Sequence, residues 1–240
     1  MMINIFQCPI DGTNINENLE CERGHKYSKK NNIYNFILNN KIETNKKGTT
    51  ESLEVIAPIY EQIWAPIGFY ITSGVRYSTL FKKISILLSG NIIIDIGTGT
   101  GKIFDYLNCN ICIGIDISFK FLEILNKKRG NKVIPVRADA TKLPIRSNIA
   151  DGITSILVLH MLDNPSLAIS EIYRVLKSKG IFISVILANP SSIFSKILSR
   201  LWRIRVRNKE YYISEMKNIG FDIVHIENFG PWVKLISLKP

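Results

Sequence analysis

Five short apolar runs, Ile92–Ile96, Ile111–Asp116, Lys132–Arg137, Gly152–Val158 and Ile181–Leu187, recur through the middle of this chain. Helix-like segments stand between them at Lys102–Leu107, Ser118–Lys128 and Pro165–Lys177; the last carries Ala168, Ile172, Val175 and Leu176 on one face. A run that is apolar on both faces has no solvated side. It reads as a strand covered above and below, and alternation with amphipathic helices is how a parallel sheet obtains that cover. The pattern predicts an α/β fold, a mostly parallel sheet with helices on both faces. Further on, a helix near Lys209–Ile219 stops at Gly220, and Phe221–Asn228 and Trp232–Leu238 read as two adjacent strands that add an antiparallel pair at the sheet edge. Upstream, helical spacing at Leu53, Ile56, Tyr60, Ile63, Trp64 and Ile67 is interrupted by Pro58 and Pro66, which predicts two short helices, and a further helix is expected over Val75–Leu88.

The first central run leads directly into Asp95-Ile96-Gly97-Thr98-Gly99-Thr100-Gly101. Glycine costs backbone entropy, so three in five positions at the end of a buried strand point to a sharp turn and a ligand held close to the backbone. In an open parallel sheet that is also where ligands bind, at the carboxyl ends of the strands. A phosphate-cradling loop would need Ser or Thr after Gly-Lys, and Gly101-Lys102 is followed by Ile103. The dinucleotide fingerprint would place its third glycine at position 102, which is Lys102.

The Asp-Ile-Gly-Thr-Gly-Thr-Gly stretch instead resembles the first motif of class I S-adenosylmethionine (SAM)-dependent methyltransferases, close to the group that includes ubiquinone and menaquinone biosynthesis enzymes. Later segments resemble the same family in order: "ICIGIDIS" ending its strand at Asp116, "VRADATKLPI" with Asp139, and "DGITSILVLHMLDNPSLAISEIYRVLKSKG", in which Ser178-Lys179-Gly180 departs from the usual Lys-Pro-Gly-Gly. The resemblance spans roughly 75–240 and implies a Rossmann-like sheet of seven strands with an antiparallel C-terminal strand. It implies that Gly97, Thr98, Gly99 and Gly101 approach the methionine part of the cofactor and that Asp95 faces its amino group. It gives Asp116 the ribose hydroxyls, Ile117 the adenine face, and Asp139 with the Ala140 backbone N–H the adenine edge. Methyl transfer from an activated sulfonium needs mainly proximity and alignment, so a catalytic side chain is hard to see in sequence. His160 is the one candidate base, and a packing histidine is the alternative reading.

Residues 1–38 have a different texture, rich in turns, and 39–74 read as a linker followed by the N-terminal helices. In the first segment Cys8, Asp11, Cys21 and His25 fall at zinc-ribbon spacing. The segment resembles the zinc-binding head of rRNA guanine-N1 methyltransferases, with Asp11 where a cysteine belongs, so zinc is an expected cofactor of a ribbon-like N-terminal appendage or the ribbon has kept its fold without metal. Cys109 and Cys112 are expected to be core thiols. The net charge of +11 and the segment Lys196–Lys209, in which Lys196, Arg200, Arg203, Arg205, Arg207 and Lys209 surround Trp202, suit RNA or an anionic lipid surface, or form a solvated lid. Tyr60 and Trp64 are expected to close over the cofactor or to be core. No apolar run is long enough to cross a bilayer and the first residues lack a signal-peptide pattern, so a cytoplasmic protein is expected. The resulting reading is a SAM-dependent methyltransferase acting on a small or lipid-like acceptor. The alternatives are an RNA-base methyltransferase and a non-catalytic SAM-binding scaffold; a nicotinamide-dependent oxidoreductase is disfavoured by Lys102.

Overall fold

The structure, a computed structural model, describes residues 2–38, 63, 65–202 and 205–240. The linker expected over 39–50 and the first expected helix, with Tyr60 and Trp64, lie outside the described residues, as do Arg203 and the side chain of Trp202.

In chain order the elements are β1 (Ser28–Lys30), β2 (Ile33–Asn35), α1 (Ala65–Ser73), α2 (Tyr77–Ile86), β3 (Ile92–Ile96), β4 (Ile111–Asp116), α3 (Phe119–Arg129), β5 (Val133–Arg137), β6 (Ala150–Ile156), α4 (Pro165–Val175), β7 (Leu176–Leu187), α5 (Ile193–Trp202), α6 (Lys209–Ile219), β8 (Asp222–Phe229) and β9 (Trp232–Leu238). Among the described residues one sheet contains nine strands, in the order β1-β2-β5-β4-β3-β6-β7-β9-β8. From β2 to β7 neighbouring strands are parallel, and β1 and the β8–β9 pair are antiparallel additions at the two edges. The expected α/β architecture is present, but the sheet has nine strands rather than seven. The two extra strands come from residues 28–35, which join the end of the N-terminal segment to the sheet edge.

The strands follow the apolar runs because each buries both faces. Every residue of β3 is buried. Two cores result: Ile92, Ile94 and Ile96 pack with α4 and α6 on one side, and Ile93 with α2 and α3 on the other. The sixth strand ends two residues earlier than its sequence pattern, because Leu157 takes φ +63°, a left-handed conformation that a strand cannot continue through. The segment after the glycines is a 3-10 turn, Lys102–Asp105, rather than a helix running to Leu107. Cys109 and Cys112 are joined by a disulfide instead of standing as separate core thiols; the turn entering β4 brings their Cα atoms to 5.6 Å, a normal bridging distance. No helix among the described residues is long and apolar enough to cross a membrane.

Strand order reverses at β3, whose neighbours β4 and β6 are followed by chain running to opposite sides. This opens a crevice at the carboxyl end of β3, where the glycine loop lies. Arg129, at the last turn of α3, fixes that loop from below: it donates to both Asp105 oxygens at 2.7 and 2.8 Å and to the Thr100 carbonyl at 2.8 Å. Burial of the guanidinium makes these contacts costly to lose. Arg129→Ala is expected to lower unfolding stability by about 2 kcal/mol in urea titration, and Arg129→Lys to recover only part of it, because an ammonium cannot make the two-pronged contact.

Candidate functional site

Three acids stand at the carboxyl ends of adjacent strands: Asp95 in β3, Asp116 in β4 and Asp139 just past β5. The glycine loop arches over the first two. Gly97, Gly99 and Gly101 have φ of +69°, +54° and +82°, all left-handed, which is why β-carbons are absent there. A methyl at Gly97 would overlap the Val158 side chain, and one at Gly101 would press on Leu125. At Gly99 nothing but the Phe121 ring edge, at 3.9 Å, stands near such a methyl, so this glycine faces open space. The loop is tied down internally: the Gly97 and Thr98 N–H groups both donate to the Ile115 carbonyl, at 2.8 and 2.9 Å.

Asp116 links the loop to the next strand. Its Oδ2 accepts the Gly99 N–H at 2.8 Å and its Oδ1 the Ser118 N–H at 2.9 Å. These two bonds orient the carboxylate at the end of β4. Asp95 is buried; its Oδ1 accepts from the Thr154 hydroxyl at 2.7 Å across to β6. Burial lifts its pKa to about 7, the Thr154 hydrogen bond opposes the rise, and the nearby Asp116 charge adds to it. Asp139 accepts the Thr141 N–H and hydroxyl at 2.9 and 2.8 Å, which caps its own turn and sets the loop that carries Ala140. Half-buried Ile117 follows Asp116, and its carbonyl accepts from Arg137 Nε at 3.0 Å.

His160 lies at the same edge of the sheet and is buried. Its Nδ1 accepts the Leu187 N–H at 3.3 Å, and its ring meets Trp232 edge-on at 5.7 Å. Burial drives its pKa down to about 3. The imidazole is therefore neutral, with its proton on Nε2. Trp232 is further surrounded by Phe69 of α1 and Phe194 of α5 at 5.6 and 5.8 Å. Beyond this apolar wall the outer faces of the two helices expose Ile67 and Ile71, and Ile193 and Ile197. The basic segment separates into two kinds of residue. Lys196, Arg200 and Arg205 are exposed, whereas Arg207 donates to the Asp163 carbonyl at 2.6 Å and covers the Tyr211 ring.

In the N-terminal segment the structure brings together the four residues singled out by spacing. One ligand atom each from Cys8, Asp11, Cys21 and His25 lies within 4.8 Å of the others. The His25 Nδ1 stands 3.5 Å from Cys8 Sγ, 3.3 Å from Cys21 Sγ and 3.1 Å from Asp11 Oδ2. Two sulfurs, an imidazole and a carboxylate in this arrangement suit a tetrahedral zinc ion. Around them sit supporting groups that spacing does not reveal. The Tyr27 hydroxyl is 3.0 Å from Cys8 Sγ, and the Thr13 N–H and hydroxyl hold the other oxygen of Asp11 at 3.0 and 2.6 Å. Burial raises the Cys8 pKa; at Cys21 burial acts in the same sense, but backbone N–H groups of His25 and Arg23 outweigh it and leave the thiol below its ordinary value.

Residues 94–184 match the family described as Methyltransferase domain. Over these residues the chain carries a methyltransferase domain. Among curated relatives it is 32% identical over 152 residues to the tRNA (carboxymethyluridine(34)-5-O)-methyltransferase of Arabidopsis thaliana, covering 61% of this chain and 34% of that protein. It is 27% identical over 147 residues to 2-methyl-6-phytyl-1,4-hydroquinone methyltransferase 2 of rice (Oryza sativa subsp. japonica), covering 58% of this chain and 41% of that one. The chain thus spans less than half the length of either relative. Among solved structures, a SAM-dependent methyltransferase of Thermotoga maritima, described as a possible histamine N-methyltransferase, superposes with a TM-score of 0.63 at 21% identity, over 79% of this chain and 99% of that one. A chain from the complex of the Haloferax volcanii Trm112 methyltransferase activator with a putative methyltransferase gives 0.68 at 13% identity, over 80% and 97%. At these identities the likeness is one of fold.

Several residues that shape the methyltransferase site carry no sequence signal of their own. Thr154 and Val158 fall in the expected strand Gly152–Val158 and Arg129 just past the expected helix Ser118–Lys128; only their partners on other elements give them a role. The glycines differ testably. Gly97→Ala is expected to cost about 2–4 kcal/mol, combining overlap with Val158 and left-handed strain. Gly99→Ala is expected to cost about 1 kcal/mol from backbone strain alone, yet to weaken S-adenosylhomocysteine binding more than its stability loss accounts for. Urea titration and calorimetry on the two variants separate these effects.

Proposed function

We propose that this chain transfers the methyl group of SAM to a small or lipid-like acceptor. The observation that carries the SAM site is the pairing of an open left-handed glycine loop with oriented acids at the ends of β3 and β4. When bound there, SAM would supply an activated methyl group on a positively charged sulfur, and the acceptor's proton would pass to solvent. In this reading Asp95 binds the ammonium group, Asp116 the ribose diol, Ile117 the adenine face, and Asp139 with the Ala140 N–H the adenine edge. Gly97, Thr98, Gly99 and Gly101 give the backbone close approach. With its Nδ1 engaged and its pKa depressed, His160 is assigned to the acceptor wall, not to proton abstraction.

The acceptor class rests on the apolar wall of Trp232, Phe69 and Phe194 and on the isoleucines exposed along α1 and α5. The hydroquinone methyltransferase relatives point the same way. A second reading, RNA methylation, is favoured by the exposed cations Lys196, Arg200 and Arg205 and by relatives named for a tRNA uridine. Zinc belongs to the same proposal as a structural cofactor held by Cys8, Asp11, Cys21 and His25.

Incubation of the protein with methyl-labelled SAM and a fractionated cell extract tests the acceptor: label is expected in the lipid or small-molecule fraction. Label in RNA would replace this acceptor by the second reading. Absence of label, with S-adenosylhomocysteine still bound, would favour the scaffold. Asp95 gives a pH test. Its pKa is raised in the folded chain, so the folded state holds the extra proton and stability falls as pH rises from about 4 to 7. The ligand's ammonium group prefers the ionised carboxylate, so S-adenosylhomocysteine affinity is expected to rise with pH, by up to about tenfold per unit below pH 7. Asp95→Asn is expected to flatten that profile in calorimetric titration.

A further inference from the structure

The metal cluster and the adenine side of the cofactor site are joined through the backbone on both sides. Chain entering the cluster runs along the far end of the Asp139 loop: the Gln7 N–H donates to the Pro144 carbonyl at 3.1 Å, the Arg146 N–H to the Ile5 carbonyl at 3.0 Å, and Phe6 bridges to Ile145. Chain leaving the cluster runs along the near end. Tyr34 and Asn35 of β2 pair in parallel with Val136 and Arg137 of β5, and the Phe36 N–H donates to the Arg137 carbonyl at 2.9 Å. The stretch 136–146, which carries Asp139 and Ala140, is thus held at its two ends by the two chain segments that flank residues 8–25.

Those two flanking segments meet in one aromatic cluster. The Phe6 ring lies 5.0 Å from Tyr34 and 5.1 Å from Phe36, and Tyr27 lies 5.1 Å from Phe36. The Tyr27 hydroxyl reaches the Cys8 sulfur. An ion bound by Cys8 on one segment and by Cys21 and His25 on the other would lock this cluster at its base, with the Tyr27 hydroxyl donating to the Cys8 thiolate. Such outer hydrogen bonds orient metal ligands and tune them.

Resting on the zinc and SAM readings given above, we infer that zinc at Cys8, Asp11, Cys21 and His25 acts as a clasp that positions the Asp139–Ala140 wall of the cofactor site. The metal stands outside the methyl-transfer chemistry and acts through residues 5–7 and 34–36. The carboxylate in place of a third thiolate makes the clasp reversible, since zinc then has a harder and less tightly holding donor set. Metal occupancy and cofactor affinity are therefore coupled, and by linkage each strengthens the other.

The test uses the full chain under a thiol reductant, stripped with a chelator and then titrated with zinc chloride. Metal content is expected to reach one ion per chain. S-adenosylhomocysteine is expected to bind about tenfold more tightly with zinc than without, within the usual range for coupled sites. Amide exchange over 136–146 is expected to slow on adding zinc. Asp11→Asn, which keeps an acceptor for Thr13, is expected to retain the fold, lose the zinc response and bind ligand as the stripped protein does. Asp11→Cys is expected to hold zinc against chelator concentrations that strip the parent. Zinc bound with no change in ligand affinity or in exchange over 136–146 would overturn the clasp, and so would failure to bind zinc at all. Zinc-dependent protection of 136–146 in a chain that binds no S-adenosylhomocysteine would uphold the clasp and remove the SAM reading instead.

Discussion

The turn at Gly97 is forced by its neighbours. β3 is buried on both faces and flanked by β4 and β6, and Val158, just past β6, fills the space that a side chain at Gly97 would need. The chain can leave the sheet only through left-handed backbone, and two further left-handed glycines carry it across the end of β4. There Asp116 accepts the Gly99 N–H and fixes the height of the loop over the strand. The crevice owes its location to the reversal of strand order at β3, and its floor to the loop that this turn produces.

Buried Asp95 shows how such a site stores its binding capacity. A carboxyl group with a pKa near 7 inside the sheet is held short of full ionisation, and that costs the fold stability at neutral pH. The Thr154 hydroxyl offsets part of this. A cationic partner would offset the rest, so the group that weakens the empty fold is the one suited to recognise an ammonium ion. The His160 and Trp232 pair is built on the opposite principle: the Leu187 N–H donates to His160 Nδ1 and Trp232 Nε1–H to the Thr72 hydroxyl, which leaves an apolar wall.

Much of this was legible in the sequence because its signals are local. Both-face apolar runs located β3 and β4 to the residue, since a strand with no solvated side cannot shift register without exposing or burying the wrong group. The grouping of Cys8, Asp11, Cys21 and His25 was also legible, because these residues follow turn spacing. The two strands of residues 28–35 were not: three residues each, one with all side chains exposed, they hold through the pairing of β1 with β2 and of β2 with β5, a hundred residues away. The same holds for Thr154, Val158 and Arg129, whose partners lie on other elements. The disulfide of Cys109 and Cys112 depends on the geometry of a turn that composition does not fix.

Calorimetric titration of S-adenosylhomocysteine into the wild-type chain and into Asp116→Ala tests the central claim most directly. The account predicts one site per chain in the wild type and a loss of affinity of about a hundredfold in the variant, with its fold retained by circular dichroism, because both the ribose contact and the anchor of Gly99 disappear together. Equal affinity in the two proteins, or no binding by the folded wild type, would contradict it.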